Sequence, residues 1–403
     1  MSLLKDIISL KPLSGGSRRS ALWVWLALAV WLPYILTGVV LAVSFAVIFI
    51  FPDTRKAVLE QKVMFRLSCF IGALSAISAL TAENYLGILI GLGIFVILIC
   101  GCYLRATTEK DVFNRAIAIL GLGSVAACIS AVAQCITYNS PYYRPTAGAF
   151  NPNYYGMLIV FTAIMAAVKV MEKDNSSEEE RSAGNWFQFP KWAWCVITAI
   201  NLFALLYSRS RSSLLAFMAC VFIYLVLSRR WIIAAVCVAG FAGVWVLGLL
   251  RPDIFNWENT LGFIFEQRVD IWMNAWEAYL GSFRSIMIGR GPMTYYFAKV
   301  SDAMHAHNIL FDTLINVGVF GLGAYVWVIV DILRDSWTNF KSHGREWLLS
   351  AVIVAEILVQ GVFDVTIMWL QTGLMFMFLA FPVGKTKSEC TTIDIPEQKS
   401  ELE

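Results

Sequence analysis

Apolar runs of about 18–25 residues follow one another along most of this chain, each long enough to cross a hydrocarbon core of roughly 30 Å. Of 403 residues, 59% are hydrophobic and only 15% are charged, against roughly a quarter charged in soluble domains. The chain therefore reads as an all-α polytopic membrane protein whose surroundings are a lipid bilayer. The net charge of +3 says little, because the placement of the charges carries the information. No nucleic-acid partner is indicated. Met1–Ser20 is polar and basic, and the run after it lacks a small-residue cleavage site, so no cleavable signal peptide is expected. The nine cysteines lie inside apolar runs, Cys390 excepted, and read as small packing residues.

Residues 1–20 form a basic cytoplasmic segment holding Lys5, Lys11, Arg18 and Arg19, with a short interfacial helix before Gly15-Gly16. Ala21 to Phe51 is uncharged and carries Pro33 near its middle. It reads as two short helices meeting at an outer turn, one long tilted helix being the alternative. The remaining spans run about 63–82, 85–104, 113–137, 154–171, 191–207, 212–228, 231–249, 308–333, 347–366 and 367–384, giving about twelve in all. Basic residues mark every second link: Arg55, Lys56 and Lys62; Arg105, Lys110 and Arg115; Lys173, Arg181 and Lys191; Arg229 and Arg230; Lys341 and Arg345; Lys385 and Lys387. An even number of spans with both termini cytoplasmic satisfies that pattern. Residues 21–384 then form the membrane domain, 251–307 a large extracytoplasmic loop before the tenth helix, and 385–403 a cytoplasmic tail. The link 172–190, with Glu178-Glu179-Glu180, reads as solvated.

That topology leaves Arg144, Arg209, Arg211, Arg251, Arg268, Arg284, Arg290 and Lys299 outside, against the orientation rule. An anionic ligand at the outer surface gives them a reason. Arg144 sits in Tyr142-Tyr143-Arg144-Pro145-Thr146-Ala147-Gly148-Ala149-Phe150-Asn151-Pro152-Asn153, where two prolines and a glycine fix the path and Asn153 is placed to cap the next helix. A ligand role and a well-made turn fit this stretch equally. In Tyr207-Ser208-Arg209-Ser210-Arg211-Ser212-Ser213 the two arginines do not share a helical face, and the free backbone N–H groups of the following helix suit an anion. Guanidinium forks match phosphate oxygens bidentately, as lysine cannot. Arg268, Ile271 and Trp272 share a face of what reads as an interfacial helix, aromatic side down. Gly289-Arg290-Gly291-Pro292 reads as a tight turn exposing Arg290.

His305-Ala306-His307-Asn308 holds two of the three histidines. Histidine is the side chain best suited to accept a hydroxyl proton near neutral pH. No third ligand with zinc spacing is visible, so no metal is expected. Asn308, Asp312 and Asn316 recur every four residues on the next span, and Glu356, Gln360 and Asp364 on the one after. Intramembrane carboxylates normally face a bundle interior. Asp312 or Asp364 is placed to orient His307 or balance an arginine; helix–helix hydrogen bonding is the alternative, favoured for Glu356.

At these residues the chain resembles the O-antigen ligase and polymerase superfamily of bacterial membrane glycosyltransferases. Four segments match in order over roughly residues 20–380: Arg144 through Asn153; Ser210-Arg211-Ser212-Ser213-Leu214-Leu215; Arg268 through Trp272 with Gly289 and Gly291 after it; and His307-Asn308 followed by Gly318 and Gly321. The resemblance implies a GT-C-type fold in the bacterial cytoplasmic (inner) membrane. It implies a donor glycan on undecaprenyl pyrophosphate, passed to an acceptor hydroxyl at the outer face with inversion and without metal or other cofactor. The family's arginines match Arg211 and Arg268, and its histidine matches His307; His305 precedes it as in many relatives.

On that basis Arg211 and Arg268 are expected to stabilise the leaving pyrophosphate, and His307 to take the proton of the attacking hydroxyl. Arg144, Arg209, Arg290, His305, Asn308 and Asp312 are the expected substrate-binding residues. The acceptor is a lipid A–core sugar for a ligase, another lipid-linked repeat for a polymerase, or a protein as in some relatives, and the resemblance leans to a ligase. A transporter or flippase for an anionic lipid-linked sugar is the rival from a different class. No internal repeat of the transporter kind is present, and the polar residues gather at one surface.

Overall fold

The computed structural model describes residues 15–139, 143–149, 151–171, 189–250, 257–297, 300, 305–343, 346–364 and 369–381. Residues 1–14, the acidic run of link 172–190, Arg251, Lys299 and the tail from Lys385 lie outside them, so the expectations for those stretches find no counterpart here.

Every described apolar run is helical, and no strand occurs among the described residues. The uncharged run 21–51 is two helices, α1 (Gly15–Ala29) and α2 (Tyr34–Ile50). Pro33 precedes α2, and Thr37 Oγ1 donates to Ala29 O at 2.7 Å, closing the turn between the two. A helix α3 (Pro52–Glu60) follows at 95° to α2, carrying Asp53, Arg55 and Lys56. Then come α4 (Lys62–Thr81), α5 (Tyr85–Ala106), α6 (Lys110–Tyr138), α7 (Pro152–Met171), α8 (Lys191–Ser208), α9 (Arg211–Leu227) and α10 (Trp231–Leu250). The polar stretch after α10 contains α11 (Trp257–Leu280), α12 (Phe283–Ile288) and α13 (Thr294–Phe297). Three helices close the described chain: α14 (Ile309–His343), α15 (Glu346–Gly361) and α16 (Leu370–Ala380).

Among the described residues six helices are long and apolar enough to cross a membrane, or seven if the bent pair α2–α3 counts as one span; five further apolar helices are shorter. The described residues are thus all-helical, with several helices suited to a multi-pass membrane protein. Helix α7 is buried along nearly its whole length and α16 likewise, so these two form the centre of the bundle, as expected of helices that are hydrophobic all round. Trp23 on α1 is fully buried and its indole N–H donates to Thr107 Oγ1 at 3.0 Å, tying α1 to the α5–α6 link. Also at that end of the bundle, Arg105 bridges to Asp331 at 2.7 Å and to Asp335, a paired charge of the kind a helix bundle tolerates.

The longest helix is broken. Gly318 has φ +65° and ψ −168°, outside the helical region, and divides α14 into a short first segment and a long second one. The break frees carbonyls that the helix ladder would otherwise use. Ile315 O accepts from the Arg290 N–H and Asn316 O from the Gly291 N–H, both at 2.8 Å, and Ser78 Oγ is a second donor to Asn316 O at 3.0 Å. Backbone meets backbone here: a Cβ on Gly318 would stand 2.4 Å from Met287 O, and one on Gly289 2.4 Å from Asn316 C. Gly289-Arg290-Gly291-Pro292 is therefore a bent strap laid across the break, its two glycines in the left-handed region and Arg290 half-buried between them.

Candidate functional site

One end of the bundle gathers the starts of α7, α9, α14 and α16 and the ends of α8 and α15. Asp364, just past α15, is 1% exposed and is the carboxylate around which the rest is arranged. His307 Nδ1 stands 3.4 Å from its Oδ1 and His305 Nε2 3.6 Å from the same atom. Asn153 Nδ2 donates to its Oδ2 at 2.8 Å. The Arg144 and Arg268 guanidiniums both feel its charge.

Each of these groups is fixed by local structure. Arg144 rides on a loop pinned to α6, where the Gln134 side-chain oxygen accepts from the N–H groups of Thr146 and Ala147 at 3.0 and 3.2 Å. Its guanidinium donates to Asn153 Oδ1 at 2.6 Å and to Ser208 O at 3.5 Å. Asn153 does not cap α7 as its position suggested. Asn151 caps instead, its Oδ1 accepting from the N–H groups of Asn153 and Tyr154 at 2.8 and 3.0 Å, and this frees the Asn153 amide to bridge Arg144 and Asp364.

Arg268 lies on α11, donates to Phe363 O and sits over the Phe363 ring at 5.7 Å. The expected lipid-facing side of α11 is corrected. Trp272, on the same face as Arg268, packs on Phe311 of α14 with ring centroids 6.0 Å apart. The apolar residues that face outward are Val269, Met273, Trp276 and Leu280. They recur every three to four residues, the period of one helix face.

The turn 305–308 is built from its own side chains. Ala306 N–H donates to Asp312 Oδ1 at 3.2 Å, and Asn316 Nδ2 donates to Asp312 Oδ2 at 2.7 Å, so Asp312 holds the turn while Asp364 faces both imidazoles. His307 adopts φ +47°, a left-handed backbone rarely used by a non-glycine residue. Its N–H donates to His305 Nδ1 at 3.2 Å. That assigns the hydrogen of His305 to Nε2, which donates to the Tyr154 hydroxyl at 2.9 Å. Burial lowers the His305 pKa to about 4, Asp364 opposing the shift and His307 and Arg268 adding to it, so His305 is a neutral spacer. His307 is different: its side chain is 29% exposed, and its Nδ1 faces Asp364 without another hydrogen-bond partner among the described residues.

Arg211 opens α9 with an exposed side chain close enough to Arg144 to oppose its charge, and among the described residues it has no ion-pair or hydrogen-bond partner. Arg144, Arg211, Arg268, His305 and His307 are thus brought together, with Asp312 behind them. Others are not. Arg209 is the exposed left-handed cap of α8, and its guanidinium makes no contact with the cluster among the described residues. Arg290 belongs to the strap over the α14 break through its backbone. Asn308 caps α14, accepting from Leu310 and Phe311 N–H at 2.9 and 3.2 Å, and donates to Val362 O.

His305, His307 and Asp364 offer ligand atoms within 4.8 Å of one another, a third ligand that sequence spacing had not revealed. Two guanidiniums share the same carboxylate, so the local charge disfavours a divalent cation and favours an anion. Chemically the group can bind an anion on three arginines, beside an imidazole whose protonated form faces a carboxylate. Asn153 is the member that reading the sequence left out of the site, and Asp364 is the one of two candidate carboxylates that the structure turns toward the imidazoles. The four-residue spacing from Glu356 through Gln360 pointed at Asp364; nothing local pointed at Asn153.

No match to the chain is found among curated proteins. Residues 196–326, which span α8 to the first half of α14 and hold Arg211, Arg268, His305 and His307 but neither Arg144 nor Asp364, match the family model described as O-Antigen ligase. That match covers about a third of the chain and supports the O-antigen ligase and polymerase superfamily.

Proposed function

We propose that this protein transfers a glycan from undecaprenyl pyrophosphate to an acceptor hydroxyl at the outer face of the bacterial cytoplasmic membrane, in the manner of an O-antigen ligase. The observation that carries the reading is the convergence of Arg144, Arg211, Arg268 and His307 around Asp364. Arg211 and Arg268, helped by Arg144, bind the pyrophosphate and stabilise the charge that grows on it as the glycosidic bond breaks. His307 takes the proton of the attacking hydroxyl, and the imidazolium that forms is stabilised by Asp364 at 3.4 Å. Attack from the face opposite the leaving group inverts the anomeric centre, and the three arginines take the place a metal would hold.

We further propose about twelve spans in a GT-C-type arrangement; six long helices, or seven with the bent pair, and five shorter apolar helices among the described residues support that reading. Among the described residues, Lys191 opens α8, whose other end meets the site, and Arg229 and Arg230 follow the far end of α9, whose start meets it; this placement supports an outward-facing site. The test is purified protein given a lipid-linked glycan and candidate acceptors, with chelator present and products read by mass. Lipid A–core as acceptor reports a ligase; a second lipid-linked repeat reports a polymerase. His307→Ala should insert normally and transfer about 10²–10⁴-fold more slowly, the usual worth of general-base help. Near-wild-type transfer by that variant, or a strict need for divalent metal, overturns the mechanism.

A further inference from the structure

Glu356 lies one turn below Gln360 on α15, which in turn lies one turn below Asp364. Glu356 is 0% exposed, and both of its carboxyl oxygens lack a hydrogen-bond partner among the described residues. The Gln360 side-chain oxygen is equally buried and equally without a donor. Its amide nitrogen is satisfied, donating to Ser213 Oγ at 3.0 Å. Three orphaned acceptors on one helix face, two residues wide, need a hydrogen that ordinary protonation states do not provide. A carboxylate with neither oxygen partnered and no contact with water is not sustained as an anion.

From Ser213 a continuous path leads to the site. Ser213 Oγ accepts from Gln360, so its own hydrogen is free for Ser210 Oγ at 2.8 Å. Ser210 Oγ then donates to Asn153 Oδ1 at 3.4 Å, and Asn153 Nδ2 donates to Asp364 Oδ2 at 2.8 Å. Every donor along this path points toward Asp364. Its passage depends on Gly156, where a Cβ would stand 2.7 Å from Ser213 Oγ and 2.8 Å from Ser210 Cβ.

We propose that Glu356 is a protonated carboxylic acid whose O–H donates to Gln360 Oε1, directly or through one buried water, and that it is the origin of a one-way hydrogen-bond chain that positions Asp364. With that single hydrogen placed, the Gln360 amide has one orientation and the serine hydroxyls one direction. The Ser210 hydroxyl then joins the Arg144 guanidinium as a donor to Asn153 Oδ1, and together they hold the Asn153 N–H group toward the carboxylate. Glu356 is a positioning residue: it stays away from substrate and acts through Asp364. The role rests on the reading of Asp364 and His307 given above, and the chemical state of Glu356 is testable without it.

The experiment uses the full chain in lipid nanodiscs. Infrared difference spectra of wild type against Glu356→Gln should show the C=O stretch of a protonated carboxyl group that the substitution removes. In Gln360→Leu that band should move to higher wavenumber, because its acceptor is gone. In the glycan-transfer assay Glu356→Gln, whose amide still donates, should keep at least about half of wild-type turnover. Glu356→Leu and Ser213→Ala should lose about tenfold or more in kcat with KM for the donor little changed. A wild-type protein that transfers no glycan sinks the functional reading and leaves the infrared result standing. Absence of the band, its insensitivity to Gln360→Leu, or full turnover in Glu356→Leu overturns the chain. If Glu356→Leu fails to fold, the infrared pair and the Gln and Ser213 variants decide.

Discussion

Replacing Asp364 by asparagine removes one charge while keeping the shape and the contact with Asn153. In the proposed mechanism His307 becomes positive as it takes the hydroxyl proton, and Asp364 Oδ1 is 3.4 Å from its Nδ1. Two unit charges at that distance interact by about 5 kcal/mol at an effective dielectric constant of about 20, and by about 1 kcal/mol in water. The His307 side chain is 29% exposed, so the site lies between these limits. A loss of about 2–4 kcal/mol from transition-state stabilisation follows, a fall of about 30- to 900-fold in turnover. The donor should bind no worse, because Arg144 and Arg268 lose a competing anion and keep their charge. Steady-state transfer with lipid-linked glycan, separated into kcat and KM, measures both quantities. Near-wild-type kcat in Asp364→Asn, with normal thermal unfolding, would refute the pairing of His307 with Asp364. A rise in KM alone would instead make Asp364 part of substrate binding.

Two further outcomes follow from the geometry. His305 titrates at about 4 in the folded protein, below its ordinary value of 6.5, so between those pH values the unfolded chain binds a proton that the folded one does not. Stability contributed by neutral His305 is present above about pH 6.5 and declines toward pH 4, by about 3 kcal/mol at most; thermal unfolding across this window should flatten in His305→Gln. Gly318→Ala places a Cβ 2.4 Å from Met287 O at φ +65°, so it should cost at least about 2 kcal/mol and lower the unfolding temperature, while an unchanged midpoint would mean the break relaxes freely.

The helices were legible in the sequence because length and apolarity alone decide whether a segment suits a bilayer, and Pro33 marked the division of the first run. Legibility failed where two backbones meet. Gly289, Gly291 and Gly318 were visible as residues, but the reason for them is a strap lying on a helix break, and hydropathy carries no trace of it. The arginines and histidines were found because cations at that end of the bundle go against composition. Asp364 was seen as one of two carboxylates at the right depth, and spacing cannot tell which of Asp312 and Asp364 turns toward the imidazoles. Asn153 was misread as a cap, since Asn151 competes for that role only two residues away. Its true partner, Asp364, is 211 residues distant.

The position of Asp364 in the chain has a consequence for biogenesis. Ribosomal synthesis delivers Arg144, Asn153, Ser210, Arg211, Arg268 and the two histidines first, and the carboxylate that balances them only after α14 and α15 have been made. Until α15 docks, the three guanidiniums at this end lack the carboxylate whose charge Arg144 and Arg268 feel. Docking of α15 therefore brings the carboxylate to the arginines and histidines, and α16 then fills the centre of the bundle. A nascent chain halted before that point would carry the whole family-matched segment yet lack the carboxylate around which the site is arranged.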